Sequence, residues 1–447
     1  MKKILFNIIM ACLPFLALHG QERIEQISNL NSECSIIREL ENHKWMVYTK
    51  PNNSMFAIVE DSNSFVYYIK LPDTISSVSD FYICGSRDVY FCGMLSSGIP
   101  MMGYFFLPFY NPTTVRYSGI TGVDSLTGIV AIEPEFRDEV PPLSTHVVMI
   151  GKKDTIGILT DVLLVSNNQW DTYHITLKSK NGDIMLHDDI DLLDNYVVLA
   201  SRTSSSVNQY DKGYVWYIKK PSPSYAPFVT LSEYFTIPDV NLSKRMRLTA
   251  GDSNKCVVAA MARKFVDNIY ATGIHIYRYN YPYNTEAIRI VDDSISYETL
   301  KDVCYDRKTK KVDILMQFIT GPTIESRTLT LKYPAQPYSS IYGRNYTRHK
   351  INSMIPQLSN SGYLIGSGVN IDTPDYLDIY SYKNNAQYSC SKWFYRLLED
   401  LERQKKTDGI KTYYSITHSS VTATAIRIPT VMENYCPGET NNNNEED

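Results

Sequence analysis

The sequence predicts an all-β chain whose sheets repeat around a ring as a β-propeller, and three observations carry that reading. Tyrosine supplies 35 of 447 residues, about 8%, and aromatic residues favour extended, half-buried surfaces. Hairpin signals recur along most of the chain, built from β-branched and aromatic residues and bounded by Gly, Asn, Asp and Ser. Their starts, near residues 45, 89, 146, 196, 255, 312 and 363, lie 44, 57, 50, 59, 57 and 51 residues apart. A period of about 50 residues of β-structure is the size of one four-stranded blade. A blade cannot bury both faces alone, so blades stack around an axis, and closing the ring removes free sheet edges. Seven starts predict seven blades, with six and eight as the neighbouring counts.

Taken in order, the chain opens on Met1, Lys2 and Lys3, an apolar run from Ile4 to Leu18, and then His19-Gly20-Gln21-Glu22. This is the pattern of a secretory signal peptide over residues 1–20, cleaved near Gly20. Loss of Lys2 and Lys3 leaves 42 basic against 48 acidic residues. Lipidation at Cys12 fits less well, because the apolar run continues past it to Leu18. No later stretch approaches the ~20 apolar residues of a membrane span, so no transmembrane segment is expected.

A single propeller domain is expected over residues 21–436. One copy of its repeat runs Val89–Gly93 and then Gly103–Phe106; another runs Asn195–Ala200 and then Gly213–Ile218. Lys255–Met261 leads likewise to Gly273–Tyr277, and the Tyr363 copy ends at Leu377–Tyr380. Two stacked β-sandwiches are the competing architecture. They need a linker, and the short segment Lys219–Ser224 is the nearest to one.

Near the C-terminus the pattern changes. Trp393, Leu397 and Leu401 fall four apart, Ser391 can cap, and Gly409 can stop, which predicts one surface helix near 391–406. Thr412–Ile416 and Val421–Ile428 then read as a hairpin that either completes the blade begun near Trp45 or adds an eighth. Residues 437–447 are polar and acidic and read as a disordered tail.

The signal peptide, the period near fifty and the hairpins closing on Gly-apolar-x-apolar-Tyr resemble secreted bacterial β-propeller proteins of unsettled activity. The resemblance implies architecture and carries no site residue. Trp-Asp repeats, kelch double glycines and the sialidase Ser-x-Asp-x-Gly-x-Thr-Trp box are all missing from the sequence. Four Trp are too few for the tryptophan-docked blades of quinone-dependent dehydrogenases.

Composition narrows function by exclusion. With 44 basic and 48 acidic residues there is no cationic excess to hold nucleic acid. Seven cysteines follow the signal, widely spaced and mostly among apolar neighbours, as in Tyr90-Phe91-Cys92-Gly93. They read as buried small hydrophobes rather than a disulfide framework or a zinc site. His-Glu-x-x-His, Gly-x-Ser-x-Gly and phosphate-loop patterns are missing, and no cofactor or metal is expected.

Three weaker groups remain as candidate binding residues. Asp188, Asp189 and Asp191 sit in the densest acidic cluster, His187–Asp191, which reads as the turn into the Tyr196 strand or as oxygen ligands for a cation. Asp372 and Asp375, with Asp378, fall in the loop of the Tyr363 hairpin. His275, Tyr277, Tyr279, Tyr281 and Tyr283 alternate along one extended face; Tyr281 and Tyr283 lie past the strand and suit stacking on a sugar or a protein.

The expected function is an exported, non-catalytic propeller that binds a glycan or protein partner through loops at one face of the ring. The alternative is a carbohydrate-active enzyme, a glycoside hydrolase or lyase, with carboxylates from different blades meeting at the central channel. A structural component of a cell-surface assembly is the third reading.

Overall fold

In a computed structural model, the chain is described within residues 23–434 except for several segments, of which 133–144, 221–231, 333–341 and 384–394 are the longest. The expected signal peptide over residues 1–20, Cys12 and the expected disordered tail over 437–447 lie outside the described residues. Among the described residues every regular element is a strand, and the strands form a β-propeller.

Seven antiparallel units follow one another. The first holds β2 (Ile36–Glu41), β3 (Lys44–Thr49), β4 (Met55–Glu60) and β5 (Phe65–Lys70), after β1 (Arg23–Ser28), which belongs to the seventh. The second holds β6 (Ile75–Cys84), β7 (Asp88–Leu95), β8 (Pro100–Phe106) and β9 (Thr113–Gly119). The third holds β10 (Ser125–Ile132), β11 (Thr145–Lys153), β12 (Ile156–Ser166) and β13 (Gln169–Leu177). The fourth holds β14 (Met185–Leu192), β15 (Tyr196–Thr203), β16 (Tyr210–Lys219) and β17 (Ser232–Asn241). The fifth holds β18 (Arg247–Ala250), β19 (Lys255–Val266), β20 (Ile269–Asn280) and β21 (Asn284–Val291); one pairing, Val240 with Ala262, fuses it to the fourth. The sixth holds β22 (Glu298–Asp306), β23 (Lys311–Thr320), β24 (Thr323–Lys332) and β25 (Tyr342–Thr347). The seventh combines β26 (His349–Pro356), β27 (Tyr363–Asn370) and β28 (Tyr376–Lys383) with β1, which pairs antiparallel with β28.

The first strands of successive units touch in order, β2 to β6, β10, β14, β18, β22 and β26, and β26 returns to β2. These seven strands surround the axis. The seven hairpin starts in the sequence are the second strands, β3, β7, β11, β15, β19, β23 and β27, and runs such as Val197–Ala200 and Val257–Ala262 are buried on both sides. Buried clusters bridge neighbouring blades: Val148, Ile150, Leu159 and Ile175 of the third pack on Val197, Leu199, Tyr214 and Trp216 of the fourth. Much of the tyrosine excess is used here. Tyr214, Trp216 and Tyr234 stack at ring separations of 4.7–6.4 Å, and Phe56 meets Tyr48, Phe81, Phe91 and Phe105. Burying one such Phe is worth about 2 kcal/mol. The four cysteines among the described residues, Cys84, Cys92, Cys256 and Cys304, are free and buried.

Six of the seven innermost strands carry a register shift, at Glu39/Glu41, Val78/Asp80, Leu126/Gly128, His187/Asp189, Leu300/Asp302 and Ile351/Ser353. Each bulge swings the strand toward the axis. In three blades the residue paired just before the bulge faces a glycine: Gly93, Gly151 and Gly368. A Cβ on Gly151 would sit 2.1 Å from the Ser125 carbonyl oxygen, and one on Gly93 would sit 2.0 Å from that of Ser77.

The C-terminal segment differs from the sequence expectation. Where a helix near 391–406 is expected, the chain forms β29 (Tyr395–Glu399) and β30 (Arg403–Lys406), followed by β31 (Gly409–Ile416), β32 (Ser419–Ala423), β33 (Ala425–Pro429) and β34 (Val431–Asn434). These add a further strand to the outer edges β21, β17, β13, β9, β5 and β1, in that order. An isolated helix of this length is marginal in water, whereas each outer edge offers a row of unpaired N–H and C=O groups. The expected 412–428 hairpin is likewise absent, because β31 and β32 pair with different blades. Closure falls instead to β1, between β28 and β34.

Candidate functional site

The innermost strands are more polar than the strands behind them because they line a cavity on the ring axis. Its volume is about 320 Å³, within the range of small-ligand sites. All seven innermost strands contribute: Arg38 and Glu39 from β2, Asp80 and Tyr82 from β6, Ile129 and Val130 from β10. Asp189 and Asp191 come from β14, Leu248 and Thr249 from β18, Asp302 and Cys304 from β22, and Met354 and Ile355 from β26.

Four aspartates of the lining, Asp80, Asp189, Asp191 and Asp302, share one local geometry. Each accepts the N–H of the next residue in its own strand and an N–H from the next blade. Asp80 takes Phe81 at 2.8 Å and Ile129 at 3.2 Å. Asp189 takes Ile190 at 3.0 Å and Leu248 at 2.9 Å, and Asp191 takes Leu192 at 2.8 Å and Ala250 at 2.6 Å. Asp302 takes Val303 and Met354, both at 2.9 Å, and the Ser353 hydroxyl at 3.0 Å. The bulge allows this by turning an acid sideways toward the neighbouring strand. Arg38 spans the first junction, its Nη2 2.9 Å from Asp80 Oδ1.

Burial raises the pKa of Asp80, against the opposing pull of Arg38, and likewise raises that of Asp191. It pushes Asp189 up to about 7, although Arg247 and the Leu248 N–H favour its charge. Burial works against the charge of Arg38, yet Asp80, Asp302, Asp191 and Asp189 outweigh it and raise its pKa. A carboxylate offers about four acceptor positions. Asp189 and Asp191 each use two in these contacts, so the cavity presents fixed acceptors between apolar walls.

Against the sequence expectations, His187–Asp191 is not a turn: it lies within β14, Met185–Leu192. Asp189 and Asp191 reach the cavity, two residues apart on one strand face. Asp188 turns the other way and is buried, its Oδ2 accepting from Arg202 Nε at 2.6 Å and from the Met246 N–H at 3.0 Å. Tyr281, Tyr283, Asp372 and Asp375 fall outside the described residues, while His275, Tyr277 and Tyr279 lie on β20 and Asp378 on β28. Sequence reasoning missed Arg38, Asp80 and Asp302. The only local mark of the two acids is an unbroken apolar run after each, as in Asp80-Phe81-Tyr82-Ile83 and Asp302-Val303-Cys304-Tyr305.

A separate pair, His146 Nδ1 and Asp161 Oδ1 at 3.0 Å, is buried within the third blade and does not line the cavity. No helix among the described residues is long and apolar enough to cross a membrane. Neither a family model nor a curated protein matches the chain.

Proposed function

We propose that this is an exported, non-catalytic binding propeller that takes the end of a glycan at the mouth of its axial cavity. One observation carries the reading: four aspartates from three blades converge on a ligand-sized cavity, yet each of the four is anchored by backbone N–H groups of two strands. Anchored carboxylates suit accepting hydroxyl hydrogen bonds in a fixed pattern better than shuttling protons. Apolar walls from Tyr82, Ile129 and Leu248 suit the faces of a sugar ring. The apolar leader over residues 1–20 supports export, and a mature chain recovered outside the cytoplasm and starting near Gln21 is the expected result.

Calorimetric titration of the mature chain with a panel of oligosaccharides tests the binding reading. Saturable binding without release of new reducing ends is expected. Turnover of any bound oligosaccharide overturns the non-catalytic part, and no binding across the panel overturns the whole.

The enzymatic alternative rests on a specific feature, the raised pKa of Asp189 beside other carboxylates in one cavity, a property of general acids. It requires that Asp189→Asn abolish hydrolysis or elimination while the ligand still binds.

A further inference from the structure

Beside the axial cavity three arginines gather around two carboxylates. Arg245 and Arg247 flank Met246, whose N–H bonds Asp188 at 3.0 Å, and Arg202 Nε bonds the same Asp188 oxygen at 2.6 Å. Arg202 is further held by Nη1 on the Leu242 carbonyl. Asp189, one residue from Asp188 and part of the cavity lining, feels Arg247 as its main favourable charge. Arg245 keeps part of its surface exposed, while partial burial and the like charges of Arg247 and Arg202 lower its pKa. Arg247 Nε is buried with no hydrogen-bond partner. Three guanidinium groups against two carboxylates leave a positive charge in excess and a buried donor unused, a costly arrangement in isolation.

We propose that Arg202, Arg245 and Arg247 receive the carboxylate or sulfate of an acidic glycan whose ring enters the adjoining cavity. This rests on the glycan reading above and adds the class of glycan. Guanidinium forks match planar and tetrahedral oxyanions, and an oxyanion beside the exposed Arg245 offsets the mutual repulsion of the three guanidinium groups. The acids within the cavity decide the rest of the ligand. They accept hydroxyl groups and repel a continuous polyanion, so a sugar with one charge at its edge and hydroxyls elsewhere fits both parts.

The test is titration of the full mature chain with uronate-bearing oligosaccharides and the same compounds after carboxyl reduction, and with sulfated oligosaccharides and their desulfated forms. The charged form of one pair should bind about tenfold tighter than its neutral form, the size of one charge-assisted contact, with the advantage shrinking as salt rises. Arg245→Glu should bring the charged-to-neutral ratio to about one or below. Arg245→Gln, a milder change at the same exposed position, should reduce the ratio in the same direction if the glutamate variant does not fold. Equal affinity for charged and neutral forms overturns the inference and leaves the glycan reading standing. No binding of either form overturns both.

Discussion

Arg38 and Asp80 join two neighbouring innermost strands, Nη2 to Oδ1 at 2.9 Å, while the other oxygen of the same carboxylate reaches the Ile129 N–H on the third blade. One side chain therefore ties three consecutive blades together. Asp80→Ala strands the Ile129 and Phe81 N–H groups and should cost about 3 kcal/mol. Most of this belongs to the N–H groups, because Arg38 is one-third exposed and its charge is screened. Asp80→Asn keeps an acceptor and should cost clearly less. Urea unfolding measures both; equal midpoints for wild type and Asp80→Ala would exclude the tie.

Asp189 gives a pH dependence of definite sign. Its folded pKa is about 7, against about 3.9 for an unfolded aspartate. The folded state holds this proton more tightly, so the contribution is fully present below about pH 4 and is lost as pH rises through 7. His187 acts in the opposite sense, because burial lowers its pKa to about 4 and favours the folded state as pH rises toward 6.5. The difference between wild type and Asp189→Asn isolates the aspartate. Wild type should lose stability relative to the variant from pH 4 to 7 in denaturant titrations at fixed ionic strength, and a constant difference would refute the shift.

Gly151 faces the strand bend at Leu126, and a Cβ there meets the Ser125 carbonyl oxygen at 2.1 Å. The obstacle is backbone, which gives little. Gly151→Ala should cost about 1–3 kcal/mol. The same substitution at Gly98, where a Cβ meets nothing within 4 Å, costs only the strain of its φ of +79°. Thermal unfolding of the two variants should rank them in that order.

The added outer strands offer an internal control. Removing the chain from residue 384 onward exposes the edges of β1, β5, β9, β13, β17 and β21, whereas β25 has no added strand among the described residues. Hydrogen exchange followed by mass spectrometry should show faster exchange in those six strands and little change in β25. Uniform exchange across all outer strands would contradict the pairing.

The parts of this architecture that were legible in the sequence are those with local signals. The second strands, such as Val197–Ala200 and Val257–Ala262, are covered on both faces, so unbroken apolar runs mark them and their spacing reveals the repeat. The innermost strands escaped because a bulge breaks their alternation and because they face the axis. Met185–Leu192 shows polar residues where a core strand would show none, and its acids read as a turn. The added strands escaped for another reason: Tyr395–Glu399 carries a helical spacing, and its pairing with Ala287–Val291 is set by an available edge more than a hundred residues away. The acids at 188–191 stood out by density alone, whereas Arg38 and Asp302 become neighbours of that cluster only when the ring closes.

That closure has a kinetic side. Arg23 lies opposite Ser381 and Asn434, so the earliest strand to emerge must wait for some of the last. A nascent chain remains an open arc with one exposed flank, and its final step is a slow docking of distant segments rather than a local collapse.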